Sequence, residues 1–206
     1  MMSVGLTCSI DTGKSEVTKL FSAAGIPVFD SDAEVHGLYT ETATRDLLGK
    51  VFPDVIVDGE IDRQRLGRRV LGSPEDLQKL ESLIHPLVRK GRDRFIAHWR
   101  KQDCALVVLD IPLLLETGQE KELDYVIVVS ANEEVQRKRA MARPGMTEQK
   151  LAGILARQMP DAEKRRRADY VISTGLTRRD ALRQIGAALA DARRILGPDG
   201  LEASLS

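Results

Sequence analysis

Cysteine is nearly absent from this chain: Cys8 and Cys104 are its only two among 206 residues. They stand far apart, so there is neither a disulfide framework nor a cysteine metal spacing, and the pair reads as reduced thiols of a cytoplasmic protein. An excess of charge is also lacking. The 31 basic residues balance 31 acidic ones, so no global field draws in nucleic acid or an anionic membrane, and any anion site has to be assembled locally. Aromatic residues make up 4% and leave few platforms for stacking bases. An RNA-binding reading built on Arg165, Arg166 and Arg167 therefore has little support. No apolar run is long enough to cross a membrane, and Met1-Met2-Ser3 lacks the basic-then-apolar order of a signal peptide. There is no internal repeat or low-complexity tract. What is there is 42% hydrophobic and 30% charged, with the length of one globular domain or of a core carrying insertions.

Five apolar runs read as buried strands, at 3–7, 26–30, 105–112, 125–130 and 170–173. Helical stretches separate them. The first, over 16–24, carries Val17, Leu20, Phe21 and Ala24 on one face. Near-continuous Val/Ile/Leu runs alternating with amphipathic helices predict an α/β fold, a parallel sheet covered on both faces. Sites in such sheets gather at the carboxyl ends of the strands, where Asp30-Ser31-Asp32, Asp110-Ile111-Pro112 and Ser130-Ala131-Asn132 stand. From about 33 to 101 charged helices dominate, interrupted at Pro53, Gly59, Gly72-Ser73-Pro74 and His85-Pro86. That predicts a mostly helical insertion over the sheet. A second charged block, about 133–167, carries Arg137, Arg139, Arg143, Arg157 and the Arg165-Arg166-Arg167 run. The last helix is expected over 178–196, stopped by Gly197-Pro198, with a frayed tail from Asp199.

The chemistry starts at Cys8-Ser9-Ile10-Asp11-Thr12-Gly13-Lys14-Ser15. Gly13-Lys14-Ser15 fits the end of a G-x-x-x-x-G-K-[ST] phosphate loop, while Cys8 stands where the pattern has glycine. Strand, loop and helix follow in the order the motif requires. Consecutive backbone N–H groups at a helix N-terminus curl around phosphate oxygens; Lys14 would reach the outer phosphates and the Ser15 hydroxyl would help hold Mg²⁺. The bland alternative is a turn that happens to contain Gly-Lys-Ser. Asp30 and Asp32, alternating along an extended segment, are expected on one side, facing the phosphates. One would orient or deprotonate a hydroxyl acceptor and the other would cap the following helix. Asp110 closes the third strand, where a carboxylate serves the metal and its water or merely ends the strand. Arg139 and Arg143, at i and i+4, would share a helix face and clamp a triphosphate, unless they are a solvated basic face. His85 is open between a structural and a functional part.

At this point the chain resembles the dephospho-coenzyme A kinase family over nearly its whole length. The resemblance rests on Gly5-Leu6-Thr7 leading into Gly13-Lys14-Ser15, and on Gly25-Ile26-Pro27-Val28 running into Asp30-Ser31-Asp32. It continues through Asp62-Arg63 with Leu66, Leu80-Glu81 with His85-Pro86, and Leu109-Asp110-Ile111-Pro112-Leu113-Leu114 with Glu116. It ends with Gln136, Arg139, Arg143, Arg157-Gln158 and Ala168-Asp169. The resemblance implies a P-loop NTPase fold: a three-layer α/β/α with a parallel sheet, a helical substrate-binding insertion and a lid. The nucleotide core would comprise 1–32, 102–136 and 168–206, the acceptor domain 33–101 and the lid 137–167. The implied reaction moves the γ-phosphoryl of ATP, with Mg²⁺, to the ribose 3′-hydroxyl of dephospho-coenzyme A. Carried over by motif, Asp32, Lys14 and Arg139 are catalytic, with Asp32 the base. Ser9, Ile10, Asp11, Thr12, Gly13, Lys14, Ser15, Glu16, Arg139 and Arg143 bind the nucleotide. Asp32, Arg63, His85, Pro112, Leu113 and Leu114 shape the acceptor site, and Ser15 and Asp110 serve the metal. A monomer or small homo-oligomer is expected.

Against the family's loop, G-[GS]-I-G-[SM]-G-K-S-T, Cys8 and Asp11 replace glycines, and Glu16 replaces the final threonine. Leu115 replaces the phenylalanine of P-L-L-F-E, a mild core change. A positive φ at Cys8 would cost about 1–2 kcal/mol. A carboxylate at Asp11, inside the anion cradle, would repel a triphosphate by up to about 4 kcal/mol at 4 Å and an effective dielectric near 20. Glu16 suits the helix dipole in the empty protein but competes for the site ATP fills. Two readings follow: an active kinase with weakened ATP binding, or an impaired pseudokinase that keeps the fold and the acceptor.

Overall fold

Alternate residues of the first apolar run serve opposite surfaces. In the computed structural model, which describes residues 1–175 and 177–196, strand β1 (Met2–Cys8) packs Met2, Val4 and Leu6 against Val17, Leu20 and Phe21 of helix α1 (Lys14–Ala23). Ile185, Ala188 and Ala192 of the last helix complete that core. Gly5 points the other way. A Cβ there would lie 2.6 Å from the side chains of Leu114 and of Leu123, so the close approach of these leucines depends on glycine.

The chain forms two compact units, one from residues 1–29 and the chain from 96 onward, the other from Asp30–Phe95. After β1 and α1, strand β2 (Val28–Asp30) runs to the boundary. The second unit holds α2 (Ser31–Leu38), α3 (Thr42–Val51), a short ribbon of β3 (Ile56–Val57) and β4 (Glu60–Ile61), and α4 (Arg63–Leu71). It also holds most of α5 (Pro74–Arg100). The first unit resumes with β5 (Leu106–Asp110), β6 (Tyr125–Ala131), α6 (Glu133–Met141), α7 (Glu148–Leu155), α8 (Asp161–Arg167), β7 (Tyr170–Thr174) and α9 (Arg178–Leu196). The five predicted runs become one five-stranded sheet in the order β2-β5-β1-β6-β7, parallel between β1 and β5, β1 and β6, and β6 and β7. This is the expected α/β class. The third run is shorter than predicted because Pro112 has no N–H to give to a ladder. Parallel pairing brings the carboxyl ends together: Leu6 lies beside Asp110, Cys8 beside Val129 and Ala131 beside Thr174.

In the second unit Leu48, Phe52, Val55, Leu66, Leu80 and Ile84 make a separate core. The β3–β4 ribbon was not foreseen. Its turn is Asp58-Gly59, with φ of 51° and 79°, the left-handed pair that a two-residue hairpin demands. The expected break at His85-Pro86 is absent: α5 runs unbroken through Pro86, losing one backbone hydrogen bond while Leu80, Ile84 and Gly91 stay buried. Among the described residues no helix is long and apolar enough to cross a membrane. The expected stop at Gly197-Pro198 and the tail from Asp199 lie outside the described residues.

Candidate active site

The loop between β1 and α1 is held from behind and open in front. Ile10 is gripped at both backbone groups: its N–H donates to Gln158 Oε1 at 3.0 Å, and its carbonyl accepts from Gln136 Nε2 at 2.7 Å. The Ile10 N–H is therefore turned away from any phosphate. Thr12 is buried, its hydroxyl 3.1 Å from the Ser9 carbonyl and 3.0 Å from that of Val129. The Thr12 carbonyl accepts from the Thr174 hydroxyl. Gly13 is the N-cap of α1 with φ 95°. A Cβ there would stand 2.9 Å from Arg139 Nη1 and 3.2 Å from Thr174 Oγ1, so conformation and space both require glycine. The backbone N–H groups of Asp11, Thr12, Gly13, Lys14 and Ser15 engage no acceptor among the described residues. Five consecutive free donors at a helix N-terminus form an anion cradle.

Two expectations about the loop need correction. The position with positive φ is Asp11, at 57°, not Cys8, which ends β1 in a regular parallel pairing. The conformational cost thus falls on Asp11. Nor is the Asp11 carboxylate bare: both its oxygens lie 3.4 Å from Arg143 Nη1. Burial pushes the Cys8 thiol up, against an opposing pull from Lys14. Glu16 is exposed and, with Arg139, Thr174 and Arg178, lines a small cleft beside the cradle.

Lys14 leaves the cradle sideways. Its ammonium forms an ion pair with Asp110, whose other oxygen accepts from Thr18 Oγ1 at 2.8 Å. Asp110 is only 4% exposed, so the sheet edge supplies a buried carboxylate and α1 supplies its partners one turn apart. Arg139 lies in the last turn of α6 and donates to Thr174 Oγ1 at 2.9 Å. Arg143 does not share that helix: α6 stops at Met141, and Arg143 precedes Pro144, a position biased away from helical backbone. Both arginines still reach the loop, Arg139 at Gly13 and Arg143 at Asp11.

Pro112, Leu113 and Leu114 follow β5. The Pro112 carbonyl accepts from Thr7 Oγ1 at 2.9 Å. Leu114 is buried over Gly5 and Leu113 is exposed. Within the second unit, Asp30 caps α2, accepting from the N–H groups of Asp32 at 2.9 Å and Ala33 at 3.0 Å. Helix starts at Ser31, so strand alternation does not relate Asp30 to Asp32, contrary to expectation. Asp32 sits in the first turn, exposed, its carboxylate without a partner among the described residues. Arg63 opens α4, which Asp62 caps, and it opposes the burial that raises the Tyr39 phenol. His85 is exposed on α5. Side chains to which the pattern gave no role also reach the loop: Gln136, Gln158, Thr174 and Lys164. The last is hidden from a sequence reader by the arginine run that follows it.

The donor set fits Mg²⁺: the Ser15 hydroxyl, which engages no partner among the described residues, and the Asp110 carboxylate, held by Lys14 and Thr18. Magnesium uses one or two such oxygens together with substrate phosphates and water. Among the described residues no group of three or more His, Cys, Asp or Glu forms a self-contained metal cage.

The dephospho-CoA kinase family model matches residues 2–180. A dephospho-CoA kinase of Mesorhizobium japonicum is 51% identical over 193 residues, 94% of this chain and 98% of that protein. One of Agrobacterium fabrum is 50% identical over 175 residues, 85% and 90% of the two chains. Among solved structures, TT1252 from Thermus thermophilus has a TM-score of 0.80 at 34% identity, covering 92% of this chain and 97% of that one. A shikimate kinase from Aquifex aeolicus has a TM-score of 0.51 at 15% identity, covering 92% and 96%; that likeness is one of fold alone.

Proposed function

The chain belongs to the dephospho-CoA kinase family, and on that premise we propose that it transfers the γ-phosphoryl of ATP to the ribose 3′-hydroxyl of dephospho-CoA, with a loop that holds ATP less tightly than a glycine-rich one. The observation that carries this is the row of five free N–H groups flanked by Lys14, Arg139 and Arg143. The acceptor oxygen attacks the γ-phosphorus, the bond to the β–γ bridging oxygen breaks, ADP leaves, and Asp32 takes the hydroxyl proton. Little covalent work falls to the protein; its part is to position the reactants and to offset the charge spread over the transferred group. The N–H row receives the β-phosphate. Lys14 parts from Asp110 to follow the transferred group. Arg139 already abuts Gly13 and needs little reorganisation, which is where fixed charges help most. Ser15 and Asp110 would hold Mg²⁺, which would supply charge neutralisation for the phosphates. The family resemblance assigns Arg63, His85 and the 112–114 segment to the acceptor.

The weakening is ascribed to Asp11. Its carboxylate competes with phosphate for Arg143 and adds a negative charge to the cradle. The second reading, an impaired variant that binds the acceptor without efficient turnover, draws on the same residue. A coupled assay with dephospho-CoA beside calorimetric titration with Mg-ATP decides between them. Turnover with measurable ATP binding supports the kinase; no turnover and no binding at about millimolar ATP, a bound of about −4 kcal/mol, establishes the impaired variant.

A further inference from the structure

We propose that Lys164 is a positioning residue of the phosphate loop, and that its ion pair with Glu116 ties the loop to the segment that follows β5. Lys164 lies on α8 and is 0% exposed. Lysine is almost never buried so completely unless it is paired. Its ammonium donates to the Cys8 carbonyl at 2.8 Å and meets Glu116 Oε1 at 2.7 Å. The same carboxylate oxygen accepts the Met159 N–H at 2.9 Å. The other oxygen, Oε2, is buried without a partner.

This arrangement is a poor way to gain stability alone. Two charges are withdrawn from water, and one acceptor is left unmet; an apolar pair of similar volume would serve the fold as well. What the ion pair adds is a fixed place for one carbonyl. Cys8 is the last residue of β1, and its carbonyl shares a rigid trans peptide plane with the Ser9 N–H. Holding that carbonyl toward α8 sets the plane on which the chain enters the loop. Two residues on, Gln158 and Gln136 fix Ile10, and the free N–H row begins at the next residue. Among the described residues Glu116 makes no hydrogen bond to the loop, yet through Lys164 it helps set the loop's entry. It also follows Pro112-Leu113-Leu114, which Thr7 binds to β1. The phosphate loop and the segment assigned to the acceptor thus share one buried anchor.

The inference rests on the kinase reading for its expected effect on turnover, so the test carries a second readout. Lys164→Met, Lys164→Arg and Glu116→Gln are made in the full chain and compared with wild type. The readouts are thermal unfolding, calorimetric ATP affinity, and kcat and KM for both substrates. Lys164→Met is expected to stay folded and to weaken ATP binding by about ten- to a hundredfold, the scale of a displaced positioning group. Lys164→Arg is expected to recover part of that loss. Glu116→Gln is expected to raise the ATP KM in the same direction by a smaller factor. A folded Lys164→Met with wild-type ATP affinity and kcat overturns the proposal. Should Lys164→Met fail to fold, Glu116→Gln decides, and an unchanged ATP KM overturns it. A wild type that binds ATP without turnover removes the kinase reading but leaves the affinity comparison decisive. A wild type that binds no ATP overturns both.

Discussion

Replacing Asp11 by glycine separates two effects that the loop combines. The first is backbone strain. At φ 57° a residue with a Cβ carries about 1–2 kcal/mol relative to glycine, with aspartate at the low end. That strain is present with and without ATP, so it leaves affinity untouched and acts only on stability. Glycine also loses about 0.5–1 kcal/mol through the freedom it gains in the unfolded chain. The two nearly cancel, and Tm should move by no more than roughly 2–4 °C. The second effect is charge. A carboxylate about 4 Å from a phosphate charge costs about 4 kcal/mol at an effective dielectric near 20. Arg143, 3.4 Å from both oxygens, offsets much of it, although its side chain is 57% exposed and the pair is screened. After that discount about 1–2 kcal/mol remains, or roughly five- to thirtyfold in Kd. Asp11→Gly should therefore bind Mg-ATP that much more tightly in a calorimetric titration, with Tm almost unmoved. An unchanged or weaker Kd would refute the electrostatic account of this loop.

Asp32→Asn should lower kcat by about 10²- to 10⁴-fold, the usual worth of a general base. Thermal unfolding should move little, because the Asp32 carboxylate is exposed and unpartnered among the described residues and gives up only a first-turn helix-dipole contribution of about 0.3–1 kcal/mol. Gly13→Ala places a Cβ 2.9 Å from Arg139 Nη1 at φ 95°; it should cost at least about 1–2 kcal/mol in urea unfolding and abolish ATP binding by displacing Arg139. Tyr125 donates to Asp191 at 2.6 Å, and burial together with that carboxylate raises its pKa above the ordinary tyrosine value. Above about pH 10 the unfolded chain releases this proton first. The stabilisation is therefore fully present below that pH and is lost as pH rises through the raised value. In alkaline urea unfolding the advantage of wild type over Tyr125→Phe should shrink; a constant difference would remove the link.

The sheet was legible because its strands lie in short apolar runs, those of β1, β5 and β6 buried nearly throughout, and that is a one-dimensional pattern. The β3–β4 ribbon was not, since two residues are too few for any alternation to register; only Asp58-Gly59 marked it. Arg143 was misplaced because helical spacing looked continuous through it, although Pro144 supplies the physical reason for stopping. The cradle's own residues were visible, because a phosphate loop is a local motif. The part played by their back supports was not: Gln136 and Gln158 stood among the residues that carry the resemblance but without a role, and Lys164 did not stand out. Gln136, Gln158 and Lys164 act on the loop across 126, 148 and 156 positions of sequence. Nothing in a basic stretch of helix distinguishes the one lysine that is buried. Asp11 was recognised as a misfit, but its left-handed backbone and its pairing with Arg143 are properties of three dimensions.

The grip on Ile10 is made by two carboxamides, which carry no charge and do not titrate. Lys164, the third support, meets a carboxylate and brings no net charge either. The rear scaffold of the loop thus adds no net charge to it. The charges that face an incoming anion stand at the front of the loop instead, on Lys14, Arg139, Arg143, Asp11 and Glu16. Evolution can alter the charges that face the nucleotide without rebuilding the frame that presents them, which is how an aspartate can stand in a cradle made for phosphate.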